Sequence, residues 1–211
     1  MPAGSREGDF RATSVARVPG EPGTATDLTL TPFYRTHGRR YSIYHDLITP
    51  SELADRDTEL AADRERARRL EAATLGFVQP GNAERDRQLN YQSDPANRAV
   101  QGAAGRRSRA GTGWFSFDLP VDGSGDVAVV VTYLNDLGLP PASGNFEVLV
   151  DGPSIGRFEP NVSAVGFYDA RYAVPAELAR GKAKVTVRFQ ASHGGRIAPV
   201  YGVRTIRSTG T

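Results

Sequence analysis

The sequence contains no cysteine, which excludes disulfide bonds, thiolate metal ligands and a cysteine nucleophile. It also lacks any apolar run near the roughly 20 residues that a membrane-spanning helix needs. The first ten residues hold no apolar stretch of the kind that forms a signal peptide. We therefore expect a cytoplasmic protein that does not enter a membrane. Tryptophan is also scarce, since Trp114 is the only one.

Lysine is nearly absent as well, because Lys182 and Lys184 are the only two among 26 basic residues. The 24 acidic residues bring the formal net charge to +2. Richness in arginine, alanine and glycine is typical of a high-GC coding sequence and does not by itself indicate a nucleic-acid partner. Such a partner needs arginines gathered on one face or interleaved with stacking aromatic residues. We therefore expect no nucleic-acid binding.

The rest of the composition, 39% hydrophobic and 24% charged, is ordinary for a globular protein of 211 residues. Residues 1–26 hold several glycines and prolines with little periodicity, which predicts an irregular N-terminal arm. Residues 27–74 are predicted to form a strand segment, rich in aromatic and β-branched residues, and then a charged helix. The segment Thr49–Glu52 supplies a cap and a first-turn proline for that helix, which runs to about Ala73.

Residues 75–211 are predicted to form a β-sandwich domain. Its first part, residues 75–112, has few large apolar side chains and is expected to be a long loop, with Asn90 in its most polar stretch. From Gly113 onward, short apolar segments alternate with polar residues and are separated by turns. This period is typical of half-buried strands. Seven or eight such strands predict a mainly β fold, an antiparallel β-sandwich or jelly roll.

Several segments resemble one family of enzymes. Residues 32–44 resemble the end of the catalytic barrel in glycoside hydrolase family 127, the β-L-arabinofuranosidase-like proteins. The helix that follows matches too. Five later segments resemble the C-terminal β-sandwich domain that follows this barrel, so that the resemblance covers residues 28–207. These segments are Gly113–Phe117, Phe167–Asp169, Tyr172–Pro175, Lys184–Ala191 and Tyr201–Arg204.

The resemblance implies a catalytic site that this chain cannot contain. The family's chemistry is carried by a helical barrel with a zinc-bound cysteine nucleophile and a glutamate, and the chain has neither barrel nor cysteine. We therefore expect no arabinofuranosidase activity, and we expect no cofactor. No three carboxylates or histidines show the spacing of metal ligands, so we expect no metal site of side chains, and calcium held partly by backbone carbonyls is the alternative. One further departure is His45, which stands where family members tend to have tryptophan.

Three residues are candidates for acid–base catalysis. His37 and His45 lie eight residues apart and would share one face of a continuous strand. With Asp169 as carboxylate partner, His45 could remove a proton and expel a hydroxyl group as water. The competing interpretations make His37 a structural residue bonded to the backbone and Asp169 a structural residue of the family.

Five residues are candidates for binding the substrate. Aromatic rings pack against the apolar faces of sugars, and polar side chains bind hydroxyl groups. For Trp114, a place in the hydrophobic core is the competing interpretation. The candidates are Tyr44, Asn90, Trp114, Tyr168 and Arg171.

These observations favour two functions. The chain begins at Met1 and ends soon after its last predicted strand, so we expect a complete gene product with a role of its own. The first prediction is a dehydratase or lyase acting on a hydroxylated polyketide- or sugar-like metabolite in a bacterial biosynthetic pathway. The alternative is a non-catalytic carbohydrate-binding or assembly module of the family 127 type. The fold alone does not choose between them, and a homo-oligomer is compatible with both.

Overall fold

The structure is a computed structural model, and it describes residues 10–12, 28–30, 49–95, 98–101, 105–135 and 144–208. His37, Tyr44 and His45 lie outside these residues, so their predicted roles stay predictions. The chain divides into two units, residues 1–68 and residues 69–211. Within the described part, no helix has both the length and the apolar character needed to cross a membrane.

The first unit contains two short strands and most of a long helix. Strands β1 (Phe10–Ala12) and β2 (Leu28–Leu30) pair antiparallel, which places one strand inside the arm predicted to be irregular. Helix α1 (Pro50–Ala73) confirms the predicted charged helix. It begins at a capping box, because the Thr49 backbone N–H donates to the Glu52 carboxylate at 2.6 Å and the Glu52 N–H donates to Thr49 Oγ1 at 3.2 Å.

As far as the structure describes it, the second unit is built from antiparallel strands in three sheets. Their orders are β10-β9-β12-β7-β4, β11-β8-β14-β3 and β13-β6-β5. The predicted mainly β, antiparallel fold is confirmed. The elements are β3 (Thr74–Val78), α2 (Ala83–Gln88), β4 (Gln92–Ser93), β5 (Arg98–Gln101), β6 (Arg107–Gly111), β7 (Trp114–Pro120), β8 (Val127–Asn135), β9 (Phe146–Val150), β10 (Ser154–Arg157), β11 (Gly166–Val174), α3 (Ala176–Ala179), β12 (Lys184–Ala191), β13 (Ile197–Val200) and β14 (Gly202–Arg207).

The hydrophobic core lies between the five-stranded and the four-stranded sheet. Phe115 and Phe117 of β7 belong to the same buried cluster as Val129, Val131 and Tyr133 of β8, and all five are fully buried. Burying a side chain of this size contributes about 1.5–3 kcal/mol. Because strand residues alternate between faces, this core fixes which side chains of each sheet point outward.

The prediction of a long loop over residues 75–112 is wrong. The segment contains β3, α2, β4, β5 and β6. The physical reason is the small size of the residues that these strands bury, such as Ser108 and Ala110 in β6. A Cβ atom at Gly76 in β3 would lie 2.5 Å from Cδ of Pro120, so that close approach needs glycine. Small buried residues leave no strong hydrophobic alternation in the sequence.

Candidate functional site

The outer side of the five-stranded sheet carries mostly polar side chains. On β7, the buried Phe115 and Phe117 alternate with Trp114, Ser116 and Asp118, which therefore point away from the core. The same alternation holds on β9 and β12. We call these outward-facing side chains and their neighbours the polar face: Asn90, Gln92, Trp114, Ser116, Asp118, Glu147, Leu149, Arg157, Lys184, Thr186, Arg188 and Gln190.

The strand register aligns the side chains of the polar face in rows that run across the strands. Residues directly opposite each other on antiparallel strands have Cβ atoms about 4.5–5.5 Å apart, so their side chains meet. A ligand that crosses the strands would therefore touch three or four side chains in one row. The pairs are Trp114 with Gln190, Gln92 with Ser116, Ser116 with Arg188, and Asp118 with Thr186.

Trp114 is held at one end of the face by its neighbours on β12. The Arg188 guanidinium carbon lies 4.0 Å from the centre of the indole ring. Nε and Nη2 of Arg188 donate to Oε1 of Gln190 at 3.1 and 2.6 Å. The interpretation of Trp114 as a core residue is wrong, because it is half-buried and faces away from Phe115 and Phe117.

A glycine turn brings β7 into this position. Gly113 has φ +73, a conformation that L side chains rarely adopt, and a Cβ there would lie 2.7 Å from the Cβ of Asp94. The Gly113 carbonyl accepts the Ala191 N–H at 2.8 Å and the Gln190 side-chain amide at 3.4 Å. The turn therefore holds Trp114 and the side chain of Gln190 next to each other.

Asp118 is the hydrogen-bonding centre of the opposite end of the face. Its carboxylate accepts from Asn90 Nδ2 at 3.1 Å, Lys184 Nζ at 2.8 Å and Thr186 Oγ1 at 2.8 Å. Burial raises the pKa of Asp118, but the hydrogen bonds from Lys184, Thr186 and Asn90 outweigh it and hold the pKa below its ordinary value of 3.8. The group is therefore ionised at neutral pH.

Asn90 reaches Asp118 because of the way α2 ends. The backbone of Asn90 is left-handed, with φ 49, which asparagine tolerates better than most residues. Its Oδ1 accepts from Gln92 Nε2 at 3.1 Å, which extends the network to β4. Helix α2 is itself anchored by a buried ion pair, in which Arg109 Nη2 lies 2.7 Å from Asp86 Oδ2.

The structure separates the predicted site residues. Asn90 and Trp114 share the polar face. Tyr168, Asp169 and Arg171 lie on β11 in the other large sheet. Outward residues of the two sheets of a sandwich point in opposite directions, so Asp169 and Arg171 do not form one site with Asn90 and Trp114.

The three residues of β11 also differ from one another. Tyr168 points inward, with its ring 5.8 Å from that of Tyr133. Asp169 is exposed and accepts from Thr132 Oγ1 at 2.7 Å. Arg171 is exposed and donates to Ser208 Oγ at 2.8 Å. The pairing of Asp169 with His45 stays a prediction, since His45 lies outside the described residues.

Sequence reasoning missed the residues that build most of the polar face, namely Asp118, Arg188 and Gln190. A signal was present, because Thr186, Arg188 and Gln190 occupy every second position of a strand whose other positions are buried. That alternation identifies an outward face but not the strands beside it. Only the register places Arg188 and Gln190 next to Trp114.

The chemistry of the polar face suits a ligand with many hydroxyl groups. Amide, carboxylate, hydroxyl and guanidinium groups place donors and acceptors side by side, next to one aromatic ring. As far as the structure describes it, the face contains no histidine and no group of three or more acidic or histidine side chains that could hold a metal ion.

Comparison with known proteins identifies a family for the second unit. Residues 69–206 match the model of a family of unknown function, DUF6805. A comparison with curated proteins finds no match.

Solved structures with a similar fold are distant in sequence. A family 35 carbohydrate binding module from Clostridium thermocellum is 15% identical, with TM-score 0.42, over 61% of this chain and 95% of that one. An exo-beta-1,3-galactanase from Phanerochaete chrysosporium in a structure with galactose is 12% identical, with TM-score 0.44, over 62% of this chain and 29% of that one. CBM27-1 from Caldicellulosiruptor saccharolyticus, in complex with mannohexaose, is 15% identical, with TM-score 0.31, over 67% and 96%. At these TM-scores, the site has to be interpreted from its own geometry.

Proposed function

The chain belongs to the family of unknown function DUF6805, and on that premise we propose that it is a non-catalytic carbohydrate-binding module whose ligand lies on the polar face. The proposal favours the second of the two functions predicted from the sequence. The resemblance of the sandwich to the C-terminal domain of glycoside hydrolase family 127 is part of this proposal.

The observation that carries the proposal is the position of Trp114. Strand alternation puts a polar residue at most outward positions of an exposed sheet, yet the only tryptophan of the chain lies there. It contributes nothing to the core cluster, so core packing does not explain it. Beside it, Gln190 and Arg188 present groups that bind hydroxyls. An aromatic ring packs against the C–H face of a sugar while such neighbours bind the sugar's hydroxyl groups.

The network around Asp118 supports the same function. The ionised carboxylate has about four lone-pair sites, and its three donors leave one, on Oδ1, for a ligand hydroxyl. Because these side chains already hold each other in place, little conformational entropy is lost when a ligand binds. The face is thus prepared for binding.

The other large sheet offers a poorer surface for a glycan. Leu70 and Ala73 of the last turn of α1 pack against Ala128, Val130 and Ile206 on its outer side. The dehydratase prediction depends on His37 and His45, which lie outside the described residues, and on Asp169, which lies on this sheet. It has no support from the described geometry.

A glycan array read with the full chain tests the proposal. We expect binding to a defined set of oligosaccharides, lost in Trp114→Ala. Arg171→Ala is the matched control, because Arg171 is exposed on the outer side of the other sheet and was a predicted binding residue. It should bind as the unsubstituted chain does. Loss of binding in Arg171→Ala with retention in Trp114→Ala would move the site to the other sheet, and no binding to any glycan would refute the proposal.

A further inference from the structure

Two of the three cationic side chains of the polar face form ion pairs with carboxylates. Lys184 Nζ lies 2.8 Å from Asp118 Oδ2, and Arg157 Nε lies 3.1 Å from Glu147 Oε1. Arg188 is the remaining cation of the face, and among the described residues it contacts no carboxylate. Its partners there are neutral, the Gln190 amide oxygen and the Trp114 ring.

The contacts of Arg188 leave one edge of its guanidinium open. A guanidinium has five N–H groups in a plane, and Arg188 uses Nε–H and one Nη2–H on Gln190. Stacking on Trp114 uses the face of the group and not its edge. The end formed by Nη1 and Nη2 therefore keeps two parallel N–H groups, the fork that binds a carboxylate through both oxygens.

The guanidinium is also held in place before any ligand arrives. Gln190, which accepts from it, donates in turn to the carbonyl oxygens of Gly113 at 3.4 Å and Ala191 at 3.3 Å. Arg188 and Gln190 are half-buried, so water screens the charge less than at a fully exposed site. An arginine fixed beside the stacking residue would bind an anionic group carried by the stacked sugar itself.

We propose that the ligand is an acidic oligosaccharide, in which a uronic acid packs against the part of the Trp114 indole that Arg188 leaves uncovered and its carboxylate binds the open edge of Arg188. This inference rests on the proposed function and names its ligand class. A neutral sugar would leave the Arg188 charge without a counter-ion in the complex. The C6 carboxylate of a uronic acid lies on the sugar ring and supplies that counter-ion.

Calorimetric titration of the full chain with trigalacturonic acid and with galactotriose tests the inference. The two sugars share a ring stereochemistry and differ in the carboxylates. We expect tighter binding of trigalacturonic acid and a loss of about tenfold or more for it in Arg188→Gln. Arg188→Lys, which keeps the charge but loses the fork, should lose most of this affinity as well. The affinity for galactotriose should fall less than the affinity for trigalacturonic acid in both variants, because only the acidic sugar loses a carboxylate contact.

Lys182→Gln is the matched control, because it also removes one positive charge, but from a lysine outside the polar face that is paired with Asp151. Equal losses in Lys182→Gln and Arg188→Gln would mean general charge attraction and would overturn the inference. Trp114→Ala should lower the affinity for both trisaccharides. A variant that disturbs the indole is therefore distinguishable from one that loses only the contact with the carboxylate. If the chain binds neutral glycans on the array but trigalacturonic acid no more tightly, the inference fails and the proposed function stands. If no glycan binds, both fail.

Discussion

Replacing Trp114 by alanine separates a binding residue from a structural one. The indole is half-buried and its described ring contact is with Arg188, so truncation leaves no closed cavity. A cation–π contact at such a site contributes about 0.5–1 kcal/mol. Phe117 on the same strand is fully buried, with its ring 5.3 Å from that of Tyr91 and 5.9 Å from that of Phe115. Truncating a core phenylalanine costs about 3–5 kcal/mol.

These energies predict clearly different melting temperatures. One kcal/mol shifts Tm by roughly 2–4 °C in a protein of this size, so the loss of about 0.5–1 kcal/mol in Trp114→Ala should lower Tm by about 1–4 °C. Phe117→Ala should lower Tm by roughly 6–20 °C on the same scale. Thermal unfolding followed by circular dichroism measures both, and the glycan array measures binding. A loss of Tm in Trp114→Ala as large as in Phe117→Ala, with glycan binding retained, would refute the assignment of Trp114 to the ligand.

Three further predictions concern the support of the polar face. Removing Lys184 with Lys184→Ala should raise the pKa of Asp118, seen by NMR of the carboxyl carbon. The folded pKa of Asp118 lies below 3.8, so the stability that its ionised form contributes is fully present above pH 3.8 and is lost as the pH falls through the folded pKa. An unchanged pKa of Asp118 in the variant would contradict the network. Arg109→Met leaves the Asp86 carboxylate buried without its partner and should cost about 3–5 kcal/mol in urea unfolding. A cost under about 1 kcal/mol, the range of an exposed pair, would show that this ion pair does not anchor α2. Gly113→Ala forces a side chain into φ +73 and against Asp94, so stability should fall by about 1–3 kcal/mol together with glycan affinity. Full affinity in that variant would show that the turn does not position Trp114.

The sequence was informative where local chemistry decides the structure. Thr49 and Glu52 form the capping box that begins α1, and both residues lie within four positions of each other. The alternation of Phe146, Val148 and Val150 with less buried residues is likewise local, and it predicts β9 correctly. Patterns of this kind need no knowledge of the neighbouring strands.

The sequence was uninformative where distant residues meet. Asp118 accepts from Asn90, 28 positions earlier, and from Thr186, 68 positions later. Only the pairing of β4, β7 and β12 brings these groups together, and no local signal encodes that pairing. For the same reason, the face on which Trp114 lies could not be decided, because a tryptophan in a strand suits a core as well as a ligand.

The single tryptophan makes one measurement decisive for the binding function of the polar face. The full chain labelled with nitrogen-15 should give one indole N–H cross-peak, from Trp114. Titration with the strongest ligand found on the glycan array should move that cross-peak saturably, at ligand concentrations that match the calorimetric Kd. A ligand that binds with the same Kd while the indole cross-peak stays unmoved would contradict a glycan site on the polar face.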